Sequence, residues 1–515
     1  MLSFIKEHKS ECIVLLGWII FLNIYRICFH VVGVDTEQAL IDLNSNLNWT
    51  IGSGRFASAL IRWIMMPTGF NYDIAVLYTI IGWLAVCIGY MYCFEKLGLC
   101  NRKFNTFFCL MFISCPIWAE QNYFLCSVFA NIYGMLFTVI AAFLFVSSIA
   151  YIGSFKRFLI AMLLSVFAIG VYQAYLYMLV ANFIIFLTLR CYQNNESIQK
   201  YFIDGLKGVG AVLSSASIYM ICSKVVSSVC YEPSIDYAGY TDAGGYISRR
   251  IKWFTGDFWE CIDNINIYIQ SSIRSDYTYG LPIYPVIFCV LLIVLLYKIV
   301  LKKEKKAVIA ILGNTFLFVC IFAGNIVVGS TVSVREQFVL PLFIPFCLSW
   351  MLYDIQSMEI KKLNNKLVTT ILATSCAYMV IIWGGRHLSI NRTDYVRYQN
   401  DTAYAECLMK EIKECVDDYS RKKIVLIGMN QWQLPDNYLK GEVIGTSVFS
   451  WDVGGPVGVN YRAYGMLNAC GYSYVKPSMD EIQAIFNVCE ETDLLMEDRV
   501  VLYDDDFIVV NLNKF

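Results

Sequence analysis

Charge is what this sequence has least of. Only 16% of its 515 residues are Asp, Glu, Lys or Arg, against roughly 25% in a soluble domain, and that shortfall excludes a soluble cytoplasmic enzyme. The 40 basic and 41 acidic groups leave a net charge of -1, so no global field draws the chain to nucleic acid. Histidine is scarcer still. His8, His30 and His387 are scattered and no Cys-x-x-Cys occurs, so zinc-site spacing is absent. No period of 20 to 50 residues repeats, which argues against a solenoid, and no inverted halves are visible.

What is abundant is apolar: 58% of residues are hydrophobic and 16% aromatic. They gather into runs near the 20 or so residues that a helix needs to cross about 30 Å of hydrocarbon. Eleven spans are expected, near 11 to 31, 73 to 94, 104 to 118, 127 to 150, 157 to 170, 172 to 190, 206 to 228, 281 to 300, 307 to 328, 337 to 354 and 367 to 385. The stretch 57 to 66 reads as an interfacial helix, because Arg55 and Arg62 flank and interrupt it. The first run follows Lys6 and Lys9, yet it is too long for a signal peptide and lacks a small-residue cleavage site, so it reads as a retained anchor.

Lys and Arg collect in alternate connections, among them Arg102, Lys103, Lys156, Arg157, Arg190, Lys298, Lys302, Lys303, Lys305 and Lys306, and that face is expected to be cytoplasmic. Eleven spans then leave the N-terminus inside and the C-terminus outside. Three outer segments are long enough to build something, 32 to 72, 229 to 280 and 386 to 515, so chemistry is expected outside. The last turns polar and carries strand-like runs at 423 to 428 and 507 to 512. The expected division is a transmembrane domain over 1 to 385 and a small extracytoplasmic α/β domain over 386 to 515, which would cover a site or contact an acceptor. Its charged residues Asp452, Arg462 and Asp504 to Asp506 read as solvated turns and strand ends. Most of the twenty cysteines fall inside spans, where packing is the reading, while Cys230, Cys261, Cys407, Cys415, Cys470 and Cys489 are free to pair in an oxidising compartment.

The first outer loop opens with Gly33-Val34-Asp35-Thr36-Glu37-Gln38. Two readings of its carboxylates stand together. Asp35 with Gln38 resembles a capping box for a helix from Thr36 to Leu47; alternatively Asp35 or Glu37 takes a proton from an acceptor hydroxyl, or holds a divalent ion beside a leaving phosphate. Trp49 and Gly52-Ser53-Gly54-Arg55 come next. There small residues let amides approach a ligand, and Arg55 can hold phosphate oxygens or a lipid headgroup. Glu120 is a lone carboxylate between apolar runs and needs water or a partner. Outer aromatics, including Trp49, Tyr123, Tyr172, Tyr237, Tyr240, Trp253 and Trp259, suit either a sugar face or an interfacial belt. Arg26 and His30, one turn apart, share a face toward Asp35 or else snorkel.

Asp35-Thr36-Glu37 after the opening span, then Trp49 and Gly54-Arg55, Pro116 with Glu120-Gln121 and Tyr123-Phe124, and Tyr172-Gln173-Ala174-Tyr175 together resemble the bacterial type II glucosyltransferases that modify O-antigens and related surface glycans. The likeness runs over about the first 350 residues; Phe56 departs from the tryptophan often found there. The resemblance implies an α-helical polytopic membrane protein of the C-type glycosyltransferase fold in the bacterial cell membrane. It also implies an outer active site, a polyprenyl-phosphate-linked sugar as donor, a surface glycan as acceptor, and inversion at the anomeric carbon. On that reading Asp35, Glu37 and, after them, Glu120 are catalytic candidates, and Trp49, Arg55, Tyr123, Tyr172, Gln173 and Arg335 bind substrate. Membrane lipid is a partner and nucleic acid is not; a divalent metal is possible, with no motif that indicates one. Other classes remain: a transporter or flippase of a lipid-linked sugar, a surface polysaccharide polymerase or ligase, and a structural envelope protein.

Overall fold

A computed structural model of the chain describes residues 2–150, 154–232, 251–274, 283–357, 362–430, 432–451, 461–492, 500–502 and 505–514. Its helices follow the apolar runs. The first run is α1 (Leu2–Glu7), α2 (Lys9–Leu22) and α3 (Ile24–Phe29), broken at Asn23, whose amide turns back to the Ile19 carbonyl at 2.9 Å. The outer loop after it holds α4 (Thr36–Ile41), α5 (Leu43–Gly52) and α6 (Phe56–Met65). The single helix expected from Thr36 to Leu47 is thus two, because Asp42 is extended and caps α5 by accepting from the Ser45 amide at 3.1 Å.

The helical body continues as α7 (Tyr72–Lys96), α8 (Arg102–Ser114), α9 (Ile117–Tyr123), α10 (Leu125–Ala150), α11 (Phe155–Val171), α12 (Tyr175–Gln193) and α13 (Ile198–Cys230). Pro116 separates α8 from α9 and holds Cys115 out of the helical region. After α14 (Phe258–Arg274) come α15 (Ile283–Lys302), α16 (Ala307–Cys320), α17 (Ala323–Val328) and α18 (Leu340–Ser357). Among the described residues six helices are long and apolar enough to cross a membrane: Tyr72–Lys96, Leu125–Ile149, Tyr175–Gln193, Ile198–Cys230, Ile283–Lys302 and Leu367–Cys415. Arg190 and Lys298, expected among the loop cations, are instead buried, Arg190 paired with Asp204 and Lys298 with Asp354 at 2.5 Å.

The helix α19 (Lys362–Cys415) has 54 residues and is about 80 Å long at 1.5 Å per residue. Residue 386 lies inside it, so no loop divides the apolar part of the chain from its polar C-terminal part. Beyond it a three-stranded sheet has the order β1-β3-β2, with β3 (Phe507–Asn511) central, parallel to β1 (Lys423–Ile427) and antiparallel to β2 (Val500–Leu502). Helices α20 (Tyr461–Ala469) and α21 (Met479–Thr492) complete this C-terminal segment. Ile424, Leu426 and Val509 pack with Ile412, Leu467 and Ile482, and the same core takes in Val34, Ala119 and Tyr123 from the first loop and α9. The segment is therefore seated directly on the loop that carries Asp35.

Candidate functional site

The chain leaves α3 through a buried stretch, Val31 to Val34. The Val32 carbonyl accepts from Arg397 Nη2 at 2.8 Å, and the Tyr123 ring lies against Gly33. Asp35 comes next, with φ of 68°. Aspartate tolerates the left-handed region better than most residues, yet holding it there still costs on the order of 1 kcal/mol. Its side chain makes no capping bond, so the capping-box reading of Asp35 is corrected. The carboxylate turns instead to Arg462 of α20, whose Nη2 lies 3.0 Å from Asp35 Oδ1 and whose Nη1 lies 3.0 Å from Glu37 Oε1.

One guanidinium thus bridges two carboxylates. Their surroundings differ: the Asp35 side chain is 33% exposed and that of Glu37 is 0% exposed. Burial pushes the Glu37 carboxyl up to about 7; Arg462 opposes that rise and the Asp35 charge adds to it. Gly465 makes the approach of α20 possible, since a Cβ there would stand 2.5 Å from Glu37 Cγ. Arg462, expected in a solvated turn, has a side chain only 12% exposed. Arg62, expected at the edge of an interfacial helix, is buried too; it donates to Asn46 Oδ1 at 2.5 Å and Thr50 Oγ1 at 3.1 Å and joins α6 to α5.

A second group forms where α12 begins. The Arg55 guanidinium lies 4.6 Å from the centre of the Tyr172 ring and donates to Gln173 Oε1 at 3.4 Å. Gln173 donates to the Ser53 carbonyl at 2.9 Å, so the glycine-serine turn and the Tyr172-Gln173 pair are one unit. Tyr172 donates to Glu336 at 2.9 Å. Its neighbour Arg335 lies over the Phe124 ring at 5.0 Å. Trp49 is half-buried on α5, and Tyr123 is buried beneath the Arg397 guanidinium at 5.7 Å.

Glu120 is fully buried, and its carboxylate accepts from the backbone amides of Glu442 at 2.5 Å and Val443 at 3.4 Å. Glu442 in turn accepts from the Val334 amide at 2.8 Å and lies close to the Arg335 charge. Burial raises the Glu442 carboxyl above its ordinary range. The helical body and the C-terminal segment therefore exchange carboxylate-to-amide bonds in both directions.

Sequence reasoning missed Arg462, Glu442 and a buried ion group on α19, in which Arg397 meets Asp394 at 2.6 Å and Asp401 at 3.0 Å. Asp401 also accepts from the Val448 amide at 3.0 Å. Arg462 stands 425 residues from Glu37, and no local spacing could announce that contact. The Arg26 and His30 pair does not face Asp35. Arg26 is buried and donates to Asn391 at 3.3 Å, while exposed His30 meets Asp73 at 2.7 Å. Trp253 and Trp259 belong to the turn and helix before residue 274, where Trp253 donates to the Ile326 carbonyl at 2.7 Å. Tyr237, Tyr240, Asp452 and Asp504 lie outside the described residues. No disulfide joins any of the twenty cysteines, and no three of His, Cys, Asp or Glu gather as metal ligands among the described residues.

Fold and site define a multi-span helical protein with an arginine-bridged carboxylate pair in the loop after its first helices. The chain belongs to the glucosyl transferase GtrII family, whose sequence model matches residues 26–349, a reach that holds Asp35, Glu37, Glu120 and Arg335 but ends before Arg462. That membership agrees with the resemblance carried by the sequence motifs. No curated protein sequence matches the chain significantly. Among solved structures the chain is similar to an oligosaccharyltransferase of Archaeoglobus fulgidus crystallised in its apo form, at 9% identity and a TM-score of 0.39 over 74% of this chain. It spans only 56% of the length of that structure.

Proposed function

We propose that this protein transfers glucose or a related hexose from a polyprenyl-phosphate donor to a surface glycan on the extracytoplasmic face of the bacterial cell membrane, with inversion. The bilayer is then crossed eleven times, by the six long apolar helices and by five shorter or broken apolar runs, in a C-type glycosyltransferase arrangement with the N-terminus inside and the C-terminal segment outside. The observation that carries it is the carboxylate pair, in a family of glucosyl transferases, with one member open to solvent and the other sealed. Asp35 is the base because a group must reach the proton it removes; Glu37 is too deeply buried for that and tunes the site's charge.

The chemistry balances with no covalent sugar on the protein. Asp35 takes the proton of the acceptor hydroxyl as that oxygen bonds to the anomeric carbon, and the bond from that carbon to the phosphate oxygen breaks with its electron pair left on the phosphate. Arg55 and Arg335 are the residues assigned to phosphate, Tyr172 and Gln173 hold Arg55 in place, and Trp49 offers an aromatic face to the sugar. Tyr123 supports the loop beneath Asp35. Glu120 seats the C-terminal segment and is not assigned a proton.

The test is transfer of radiolabel from polyprenyl-phosphate-glucose to an envelope glycan extract by the full chain in lipid vesicles. Asp35→Asn keeps a residue type that tolerates the left-handed backbone, and it should lower kcat by about 100-fold or more. Wild-type rates in the folded variant remove Asp35 from the chemistry. Intact labelled lipid with the wild type points to another donor or to transport.

A further inference from the structure

We propose that Arg462 is a catalytic member of the site: its guanidinium rests on Asp35 and Glu37 and passes to the donor's phosphate, and this exchange frees Asp35 to act as base. The inference rests on the proposed glucosyl transfer and adds a residue that the family match, ending at 349, does not contain.

Asp35 Oδ1 is engaged by the guanidinium at 3.0 Å, so an acceptor hydroxyl cannot take that oxygen as its partner while Arg462 rests there. Something must draw the arginine away before Asp35 can accept a proton. Phosphate suits, since a guanidinium grips phosphate oxygens with two parallel bonds and with charge on both partners. The backbone of α20 has no need to move. Gly465 locks it against Glu37, and the exchange between Glu120 and Glu442 fastens the same segment at a second place.

Departure of Arg462 would strand a buried anion at Glu37, and the site has an outlet for that charge. Among the described residues the groups that bear on Glu37 are Asp35, Arg462, Tyr123 and Cys126; Arg462 is the cation in contact with it, while buried Arg62 bears on Asp35 and Cys126. Glu37 Oε2 has no hydrogen-bond partner among the described residues, and burial has already pushed its carboxyl up to about 7. Once the guanidinium leaves, Glu37 takes up a proton, Asp35 loses its shield, and the positive charge stands at the phosphate where the leaving group gains its electron pair. Donor binding thereby arms the base, and an acceptor arriving first meets a masked carboxylate.

The experiment uses the full chain in vesicles with polyprenyl-phosphate-glucose as donor and polyprenyl monophosphate as competitor. Arg462→Gln should lower kcat/KM by about 100-fold and weaken inhibition by the monophosphate about 10-fold, with Arg462→Lys recovering part of both. A folded Arg462→Gln with the wild-type inhibition constant overturns the proposal, since a merely structural arginine would leave phosphate affinity alone. A second measurement needs no arginine variant: monophosphate is titrated calorimetrically at pH 7 in two buffers of different ionisation heat. Wild type should take up more protons than Glu37→Gln, and equal counts overturn the exchange. Absence of transfer by the wild type defeats the glucosyl reading, whereas the proton count still decides the role of the arginine.

Discussion

A carboxyl sealed beneath a helix makes its own stability depend on pH. Glu37 has a folded value near 7 against about 4.3 in an open chain. Between those limits the folded protein holds more protons than the unfolded one, so stability falls as pH rises. The contribution is complete below the open-chain value and is lost through pH 7, on the order of 3 kcal/mol in all. Thermal unfolding at several pH values should show a Tm that declines from pH 5 to 7.5 in wild type and a flatter course in Glu37→Gln. Equal slopes would mean that Glu37 stays charged throughout. Asp35 and Glu37 were legible in the sequence because they stand two residues apart after the first apolar run. Arg462 was not, because an arginine in a polar segment has no local signature and acquires its role only when α20 lands on α4.

Helices obey the same division between local and remote causes. Their places followed from apolar runs, and the stop at Pro116 follows from proline sterics. The breaks at Asn23 and Asp42 were illegible, since both come from single side chains that compete for backbone groups. The unbroken course of α19 was hidden by its change in polarity near residue 386: the helix stays helical while its surroundings change from the helical body to the C-terminal segment. What it buries there is ionic, with Arg397 fully enclosed between Asp394 and Asp401 and bonded to the Val32 carbonyl. Removal of one partner from such a group leaves uncompensated charge and costs about 3 to 5 kcal/mol. Arg397→Met should therefore unfold at markedly lower denaturant than wild type. It should also lose transfer activity even where it folds, because the stretch leading to Asp35 hangs from that guanidinium. Wild-type stability in Arg397→Met would show that the two aspartates find other partners.

At the scale of the whole molecule, the sequence placed a polar C-terminal segment beside the site but could not say how it is held. The answer is reciprocal. Glu120 of the helical body accepts from the amides of Glu442 and Val443, and Glu442 of the segment accepts from the Val334 amide. Gly441 permits it, since a side chain there would run into the Glu120 carboxylate. Both bonds close on one short loop, so they should act as a unit: once either carboxylate is lost the loop is released, and loss of the second releases little more. Hydrogen exchange in the 440 to 448 amides should quicken in Glu120→Gln and in Glu442→Gln, and the double variant should match the faster single one. Coupling between touching groups is commonly about 0.5 to 3 kcal/mol, a size that such rates resolve. Strict additivity would make the two contacts independent, and Arg462 would then be held over Asp35 by α20 packing alone.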